Sequence, residues 1–311
     1  MQSPLVIAID LGATNVRAAM VNPQGKIIKK LKQPTPRQGT DGTAVTRAIT
    51  AMIAKLAAPA PDRQHLKGIG ISSIGPLDYK KGGPCNSPNI PFSFIPLVRP
   101  LQKQFSLPVV LLNDANAAVL GEQHFGAGKQ VKNLVYVTLS TGIGGGAIVN
   151  GKLLFGHSGN AAEIGHLIVD TTYNLPCTCG KGIGHWEGYA SGRNIPRFFN
   201  HWLQTQNKRA DFKTQQPETI FAEARRGNTS ALTFLDELNR INSRAVSDII
   251  VAYDPELITF GGSVALNNSH IIIGGIKKYI DRYLPTPPIR ITSLGENITL
   301  LGAAAAIFEK K

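Results

Sequence analysis

Short apolar blocks open the chain, and the same pattern returns in its middle. Residues 5–21 (LVIAIDLGATNVRAAMV) and 134–149 (LVYVTLSTGIGGGAIV) each read as an apolar strand, a Gly/Thr/Ser turn and a second apolar strand. The lysines of residues 26–32 (KIIKKLK) alternate as on a solvated edge strand. Val45, Ile49, Met52, Ile53 and Leu56 fall at helical spacing within residues 42–56. A buried strand is predicted over 68–72, a turn at Gly75-Pro76, and a short helix over 97–104. PVVLLNDANAAVLGEQ then reads as a strand that breaks at Asn113-Asp114 into an Ala-rich helix. Residues 151–192 are irregular. Residues 192–249 are mainly helical, with Leu235, Leu238, Ile241, Ala245 and Ile249 on one buried face. PELITFGGSVAL predicts a strand entering a double-glycine turn, and a terminal helix is expected after Gly302. Strands alternating with helices predict an α/β fold. The expected division is a small lobe over 1–116, a large lobe over 117–298, and a C-terminal helix over 299–311 packing back on the first lobe.

The repeated turn carries the first chemical implication. Glycines between two strands leave backbone N–H groups uncovered, and such a concavity suits phosphate. Two copies suggest two lobes gripping one polyphosphate. Neither is a G-x-x-x-x-G-K-[ST] loop, and neither leads into a helix as a dinucleotide fingerprint does. Ordinary tight hairpins are the alternative. In the first turn, however, Asp10 ends the strand where a carboxylate could hold a metal-bound water, and Thr14 and Asn15 add side-chain donors.

Composition narrows the class. The 311 residues are 42% hydrophobic and 17% charged, ordinary for a soluble globular protein with two lobes. No apolar run approaches the ~20 residues of a membrane span, and the chain enters its first strand without a charged leader. Three cysteines make no disulfide framework, which points to the cytoplasm. The net charge of +13 is scattered, so no nucleic-acid partner is expected; a basic surface also favours encounter with anionic ATP.

Asp114 stands where the apolar strand ends, the edge at which open α/β sheets place ligands. Asn113 and Asn116 flank it. A carboxylate here could accept the proton of a hydroxyl that attacks a γ-phosphate, or it could merely cap the following helix. Farther on, two cysteines one residue apart could be an ordinary pair of thiols, but with a histidine on either side His166, Cys177, Cys179 and His185 offer the four ligands of a tetrahedral structural zinc. That metal would hold a loop carrying Glu163 and Glu187. His157 and Cys85 fall outside the cluster.

Together these motifs resemble the ROK family (repressors, open reading frames and sugar kinases) of the actin-like ATPase-domain superfamily. D-L-G-A-T-N is similar to its first phosphate motif, N-D-A-N to its catalytic segment and S-T-G-I-G-G-G to its second phosphate motif. E-I-G-H with C-x-C-G and G-H-W-E is similar to its zinc signature, and DPELITFGGSV to its adenosine-side loop. The family usually carries C-x-C-G-x-x-G-C-x-E. Here CTCGKGIGHWE has one residue more and His185 in place of the third cysteine. The resemblance implies a two-lobed actin-like (ribonuclease H-like) fold with the active site in the interlobe cleft. It implies an ATP-dependent kinase acting on the 6-hydroxyl of a hexose, glucose first. Asp114 would be the base. Asn113, Glu163, His166 and Glu187, with Asn89, would hold the other hydroxyls. Gly12, Thr14, Asn15, Thr141 and Gly142 would hold phosphates, Asp10 would position Mg²⁺, and Gly261 and Gly262 would line the nucleotide. N-acetylmannosamine, N-acetylglucosamine, fructose and allose are the alternative substrates. A sugar-sensing repressor would carry a helix-turn-helix before the first phosphate motif, and only nine residues precede Asp10. A homodimer or higher homo-oligomer is expected.

Overall fold

The computed structural model describes residues 3–58, 65–207, 209, 212 and 214–309. The chain forms two compact units. One comprises Met1–Gln130, Phe155–Gly159 and Glu296–Lys311; the other comprises Val131–Leu154 and Asn160–Gly295.

The first unit is built on β1 (Leu5–Leu11), β2 (Asn15–Val21), β3 (Ile27–Pro34), β4 (Leu66–Ser73) and β7 (Val109–Asn113), ordered β3-β2-β1-β4-β7. The small ribbon of β5 (Leu77–Asp78) and β6 (Gly83–Pro84) interrupts the sequence before β7. β1 and β2 pair as a hairpin, while β1, β4 and β7 run parallel. On one face Ile7, Ile9, Leu11, Val16, Ala18, Met20, Ile69 and Ile71 join Val45, Ile49, Met52 and Ile53 of α1 (Thr43–Leu56) in one core. α2 (Val98–Phe105) adds buried Leu101. Exposed and half-buried positions alternate along β3, with Lys30 and Lys32 among the exposed ones, as on an edge strand.

The opposite face is covered by α3 (Asp114–Phe125) and by the helix that ends the chain, here α10 (Ile298–Phe308). That helix begins before Gly302, not after it. Glycine sits in its interior because α3 comes too close for a side chain: a Cβ at Gly302 would strike the carbonyl of Ala117. Gly70 on β4 meets the backbone of Ala303 in the same way. The expected lobe boundary at 116/117 falls inside α3, whereas the contact division follows the end of that helix.

The second unit repeats the topology. β8 (Leu134–Leu139), β9 (Ile143–Val149), β10 (Lys152–Leu153), β11 (Leu257–Gly261) and β12 (Ile289–Ile291) are ordered β10-β9-β8-β11-β12. Here too an antiparallel hairpin is followed by parallel strands. Between the sheet segments lie α4 (Glu187–Ala190), α5 (Ile195–Thr205), α6 (Pro217–Arg225), the 25-residue α7 (Thr229–Tyr253), α8 (Ser263–Asn267) and α9 (Ser269–Tyr279). The predicted face of α7, Leu235 to Ile249 at helical spacing, is buried throughout. Among the described residues no helix is long and apolar enough to cross a membrane.

Candidate active site

In the first unit the predicted phosphate turn is residues 12–14 of the β1–β2 hairpin. The Gly12 N–H donates to the Asn15 carbonyl at 3.0 Å. Thr35, just beyond β3, grips the turn from outside: its N–H donates to the Thr14 carbonyl at 2.9 Å and its hydroxyl to the Gly12 carbonyl at 2.7 Å. Asp10 lies beside the turn. Its Oδ2 accepts from Nε and Nη2 of Arg17 at 2.9 and 2.7 Å. Arg17 in turn donates to the Glu296 carbonyl and to the Thr299 hydroxyl. The cross-strand partner of Asp10 could have been counted from the hairpin, since Leu11 pairs with Val16. Nothing in the sequence marked Thr35.

At the end of β7 the structure separates two neighbouring roles. Asn113 is the N-cap of α3, its side-chain oxygen accepting the Asn116 N–H at 2.7 Å. Asp114 is the first helical residue; it is exposed, and its Oδ1 accepts the N–H of Ala115 at 2.8 Å. The cap reading therefore belongs to Asn113, leaving its amide nitrogen as the group free of the capping role. Asn116 is fully buried in the first turn of α3, with no hydrogen-bond partner for either side-chain polar atom. Asn89 is exposed in the loop after β6.

The second unit gathers most of the remaining residues. The predicted phosphate turn is residues 140–142, where the Ser140 N–H donates to the Gly142 carbonyl at 2.9 Å. The following glycines belong to the sheet: Gly144, Gly145 and Gly146 pair with Thr138, Val137 and Tyr136. Gly145 makes room for Ile164, and Gly165 lies against the Ile143 carbonyl. These two contacts seat the single turn of 3₁₀ helix at Ile164–His166 on β9. Glu163 and His166 flank it, the Glu163 carboxylate 3.8 Å from His166 Nδ1. Glu187 reaches the start of β9 beside this turn, its Oε2 accepting the Ile143 N–H at 2.9 Å. Burial raises the Glu163 pKa above the ordinary carboxylate value; nearby His166 opposes the shift and the Glu187 charge adds to it.

Gly261 ends β11 against the Tyr136 ring. Gly262 has φ +83°, and a side chain there would strike the Leu139 carbonyl. Both glycines thus have a packing reason to be glycine, besides any ligand.

The irregular segment after His166 closes on a metal-binding cluster. The candidate ligand atoms of His166, Cys177, Cys179 and His185 all lie within 4.8 Å of one another. Cys179 Sγ and His185 Nδ1 are 3.6 Å apart, close to the ~3.5 Å edge of a tetrahedron with zinc's usual sulfur and nitrogen bond lengths. The backbone N–H groups of Cys179 and Lys181 point at the sulfurs of Cys177 and Cys179, at 3.5 and 3.4 Å, an arrangement that favours thiolates. Burial pushes the Cys177 thiol up to about 11, and burial followed by the His166 charge lowers His185. A dication reverses the first of these and is served by the second, because it binds thiolate and neutral imidazole. The donor set fits a structural zinc with no position left open. His185 stands two residues before Glu187, where counting back from that glutamate places the last ligand, and Gly182 lies against its ring.

Two buried anchors hold this loop. Trp186 Nε1 donates to Asn242 Oδ1 of α7 at 2.8 Å. The Tyr189 hydroxyl donates to Asp170 at 2.8 Å and accepts the Leu175 N–H at 3.0 Å. The ring partners could not be read from spacing, since the residues lie up to 56 positions apart.

The profile of the ROK family matches residues 6–310. The chain belongs to the ROK family. It is 40% identical over 305 residues to a glucokinase of Pyrobaculum calidifontis, covering 97% of this chain and 95% of that protein. Among solved structures, a ROK hexokinase from Thermus thermophilus superposes with a TM-score of 0.81 at 30% identity, covering 98% of each chain. A ROK family glucokinase from Streptomyces griseus in complex with glucose and AMPPNP gives a TM-score of 0.76, also at 30% identity, over 97% of this chain and 98% of that one. The two-sheet α/β architecture of this ROK chain is the one these relatives share.

Proposed function

We propose that this ROK chain is an ATP-dependent glucokinase that transfers the γ-phosphoryl group to the 6-hydroxyl of glucose. The observation that carries the reading is Asp114, an exposed carboxylate at the C-terminal end of β7 that its neighbour Asn113 relieves of the capping role. Asp114 takes the proton of the 6-hydroxyl as that oxygen bonds to the γ-phosphorus; the bond to the β,γ-bridging oxygen breaks and ADP leaves. The Asn113 amide nitrogen, Glu163, His166 and Glu187 hold the remaining hydroxyls, with Asn89 from its loop. A ring of hydroxyls calls for such carboxylates and amides.

Gly12, Thr14 and Asn15, the last two with their side chains, and Thr141 and Gly142 are assigned to the phosphates, and Gly261 and Gly262 to the nucleotide. Arg17 fixes Asp10 through Oδ2; Asp10 would hold a water of Mg²⁺, and the ion would offset phosphate charge. Zinc would take no part in the chemical step and would hold the loop that carries Glu163 and Glu187. The thiol-bearing metal cluster suits a reducing cytoplasm, and the expected homodimer or higher homo-oligomer is checked by light scattering.

A coupled assay over glucose, N-acetylmannosamine, N-acetylglucosamine, fructose and allose tests the reading, with NMR locating the phosphate. Glucose is expected to have the highest kcat/KM and to carry phosphate on O6. A preference for an N-acetylated hexosamine, or phosphate on the anomeric oxygen, would overturn it.

A further inference from the structure

Asn194 immediately precedes α5, the N-cap position where asparagine usually turns back onto its own helix. Here it makes no side-chain cap bond. It is fully buried, and the two hydrogens of its amide nitrogen are shared among three oxygens: Thr178 Oγ1 at 3.0 Å, the Glu187 carbonyl at 2.9 Å and Ser191 Oγ at 3.0 Å. The orientation of the amide is fixed by chemistry, because the Glu187 carbonyl can only accept and so must face the NH₂ group. The Asn194 oxygen is left buried with no hydrogen-bond partner. A residue serving stability alone gains little from that arrangement.

Each partner matters. Thr178 sits between the two metal-ligand cysteines. Glu187 places its carboxylate on the Ile143 N–H. The residues just before Asn194 clasp the phosphate turn itself: the Gly192 N–H donates to the Ser140 carbonyl at 2.7 Å, and the Arg193 N–H to the Thr141 carbonyl at 3.4 Å. Ser140 Oγ lies 3.3 Å from Ser263 Oγ, next to the double-glycine turn. One side chain thus ties the metal loop to the short segment that shapes residues 140–142.

We infer that Asn194 is a positioning residue through which the metal loop sets the phosphate turn, so that the metal controls affinity for the nucleotide donor as well as for the sugar. The inference rests on the proposed assignment of residues 140–142 to nucleotide phosphates. The physical route is short. When the loop is held by its metal, Thr178 is fixed, Asn194 is fixed through it, and the Gly192 and Arg193 N–H groups keep the Ser140 and Thr141 carbonyls turned away from the phosphate side.

Asn194→Ala opens a cavity in the core and can fail to fold, so the decisive variant is Thr178→Val at an exposed position. It removes one acceptor and keeps the shape. Binding of a nonhydrolysable ATP analogue is measured by calorimetry on zinc-loaded wild type and variant, together with KM for ATP and for glucose. Thr178→Val is expected to weaken the analogue about three- to tenfold, the loss of one hydrogen bond. The glucose KM should stay within twofold, zinc content should be unchanged, and Thr178→Ser should restore wild-type binding. Stripping zinc with a chelator should weaken analogue binding in wild type and add less in Thr178→Val, since the link is already cut. Analogue affinity within twofold of wild type in loaded Thr178→Val overturns the inference, and this comparison decides even if stripping unfolds the protein. Failure of loaded wild type to bind the analogue at all would instead overturn the functional assignment beneath it.

Discussion

Replacing Asp114 by Asn removes one negative charge and leaves nearly every atom in place. The structure sets two separate magnitudes for the outcome. For stability, Asp114 is exposed at the first position of α3, and the cap bond is made by Asn113 to the Asn116 N–H. What the fold loses is the interaction of a carboxylate with the helix N-terminus, about 0.3–1 kcal/mol at an exposed site. For catalysis, the amide cannot take a proton, and loss of a general base costs about 10²–10⁴-fold, or roughly 3–5 kcal/mol of barrier. Asp114→Asn should therefore fold with a melting temperature within a few degrees of wild type, retain glucose affinity, and lose at least a hundredfold in kcat. Asn113→Ala provides the mirror image for stability, because a lost cap costs about 1 kcal/mol. The assay is a coupled measurement of kcat and KM alongside a thermal melt. A kcat within threefold of wild type in Asp114→Asn would refute the assignment of this carboxylate as base.

Three further outcomes are expected. Gly302→Ala forces a side chain against the Ala117 carbonyl; overpacking of this kind costs about 1–3 kcal/mol, so calorimetry should show a lower melting temperature, and an unchanged one would contradict the close helix crossing. Purified protein should contain one zinc per chain by elemental analysis, and Cys179→Ser or His185→Ala should lose it; full zinc content in either variant would remove that residue from the ligand set. Stability should fall at alkaline pH: burial, with the Glu237 charge, pushes Tyr173 up to about 12, and burial with the Asp170 contact also raises Tyr189. Below pH ~10 this stabilisation is fully present; above it the unfolded chain sheds phenolic protons that the fold retains, so stability declines as pH rises toward 12. Circular dichroism between pH 9 and 12 checks the direction, and a flat profile would argue against burial of these hydroxyls.

The two hairpins, the β7–α3 junction and the buried face of α7 were all legible, because each depends on local periodicity or on turn residues close in sequence. The metal ligands were legible for the same reason: three of the four lie within residues 177–185. What escaped was set by distant packing. Gly302 reads as a helix boundary until the Ala117 backbone is seen beside it. The run Gly144–Gly146 reads as phosphate loop until Ile164 is found resting on Gly145. Asn194, which the sequence did not single out, stands at the N-cap position of α5, yet its amide serves a loop sixteen residues back. Likewise, neighbouring Asn113 and Asp114 could not be told apart until the hydrogen bond showed which one caps.

The placement of α10 bears on the order in which the polypeptide can finish folding. The first unit's sheet is composed within the first 113 residues, but the face holding Gly68 and Gly70 is covered by Ala303 and Ile307. Arg17, the partner of Asp10, is secured by Thr299, 282 positions away. During synthesis that face stays only partly covered until α10 has been made, and closing so long a loop delays the contact although its entropic cost grows only slowly with length. The second unit has no such dependence, since its segments lie between residues 131 and 295. The nascent chain should accordingly complete its second unit first, with the first unit's sheet waiting, half covered, for α10.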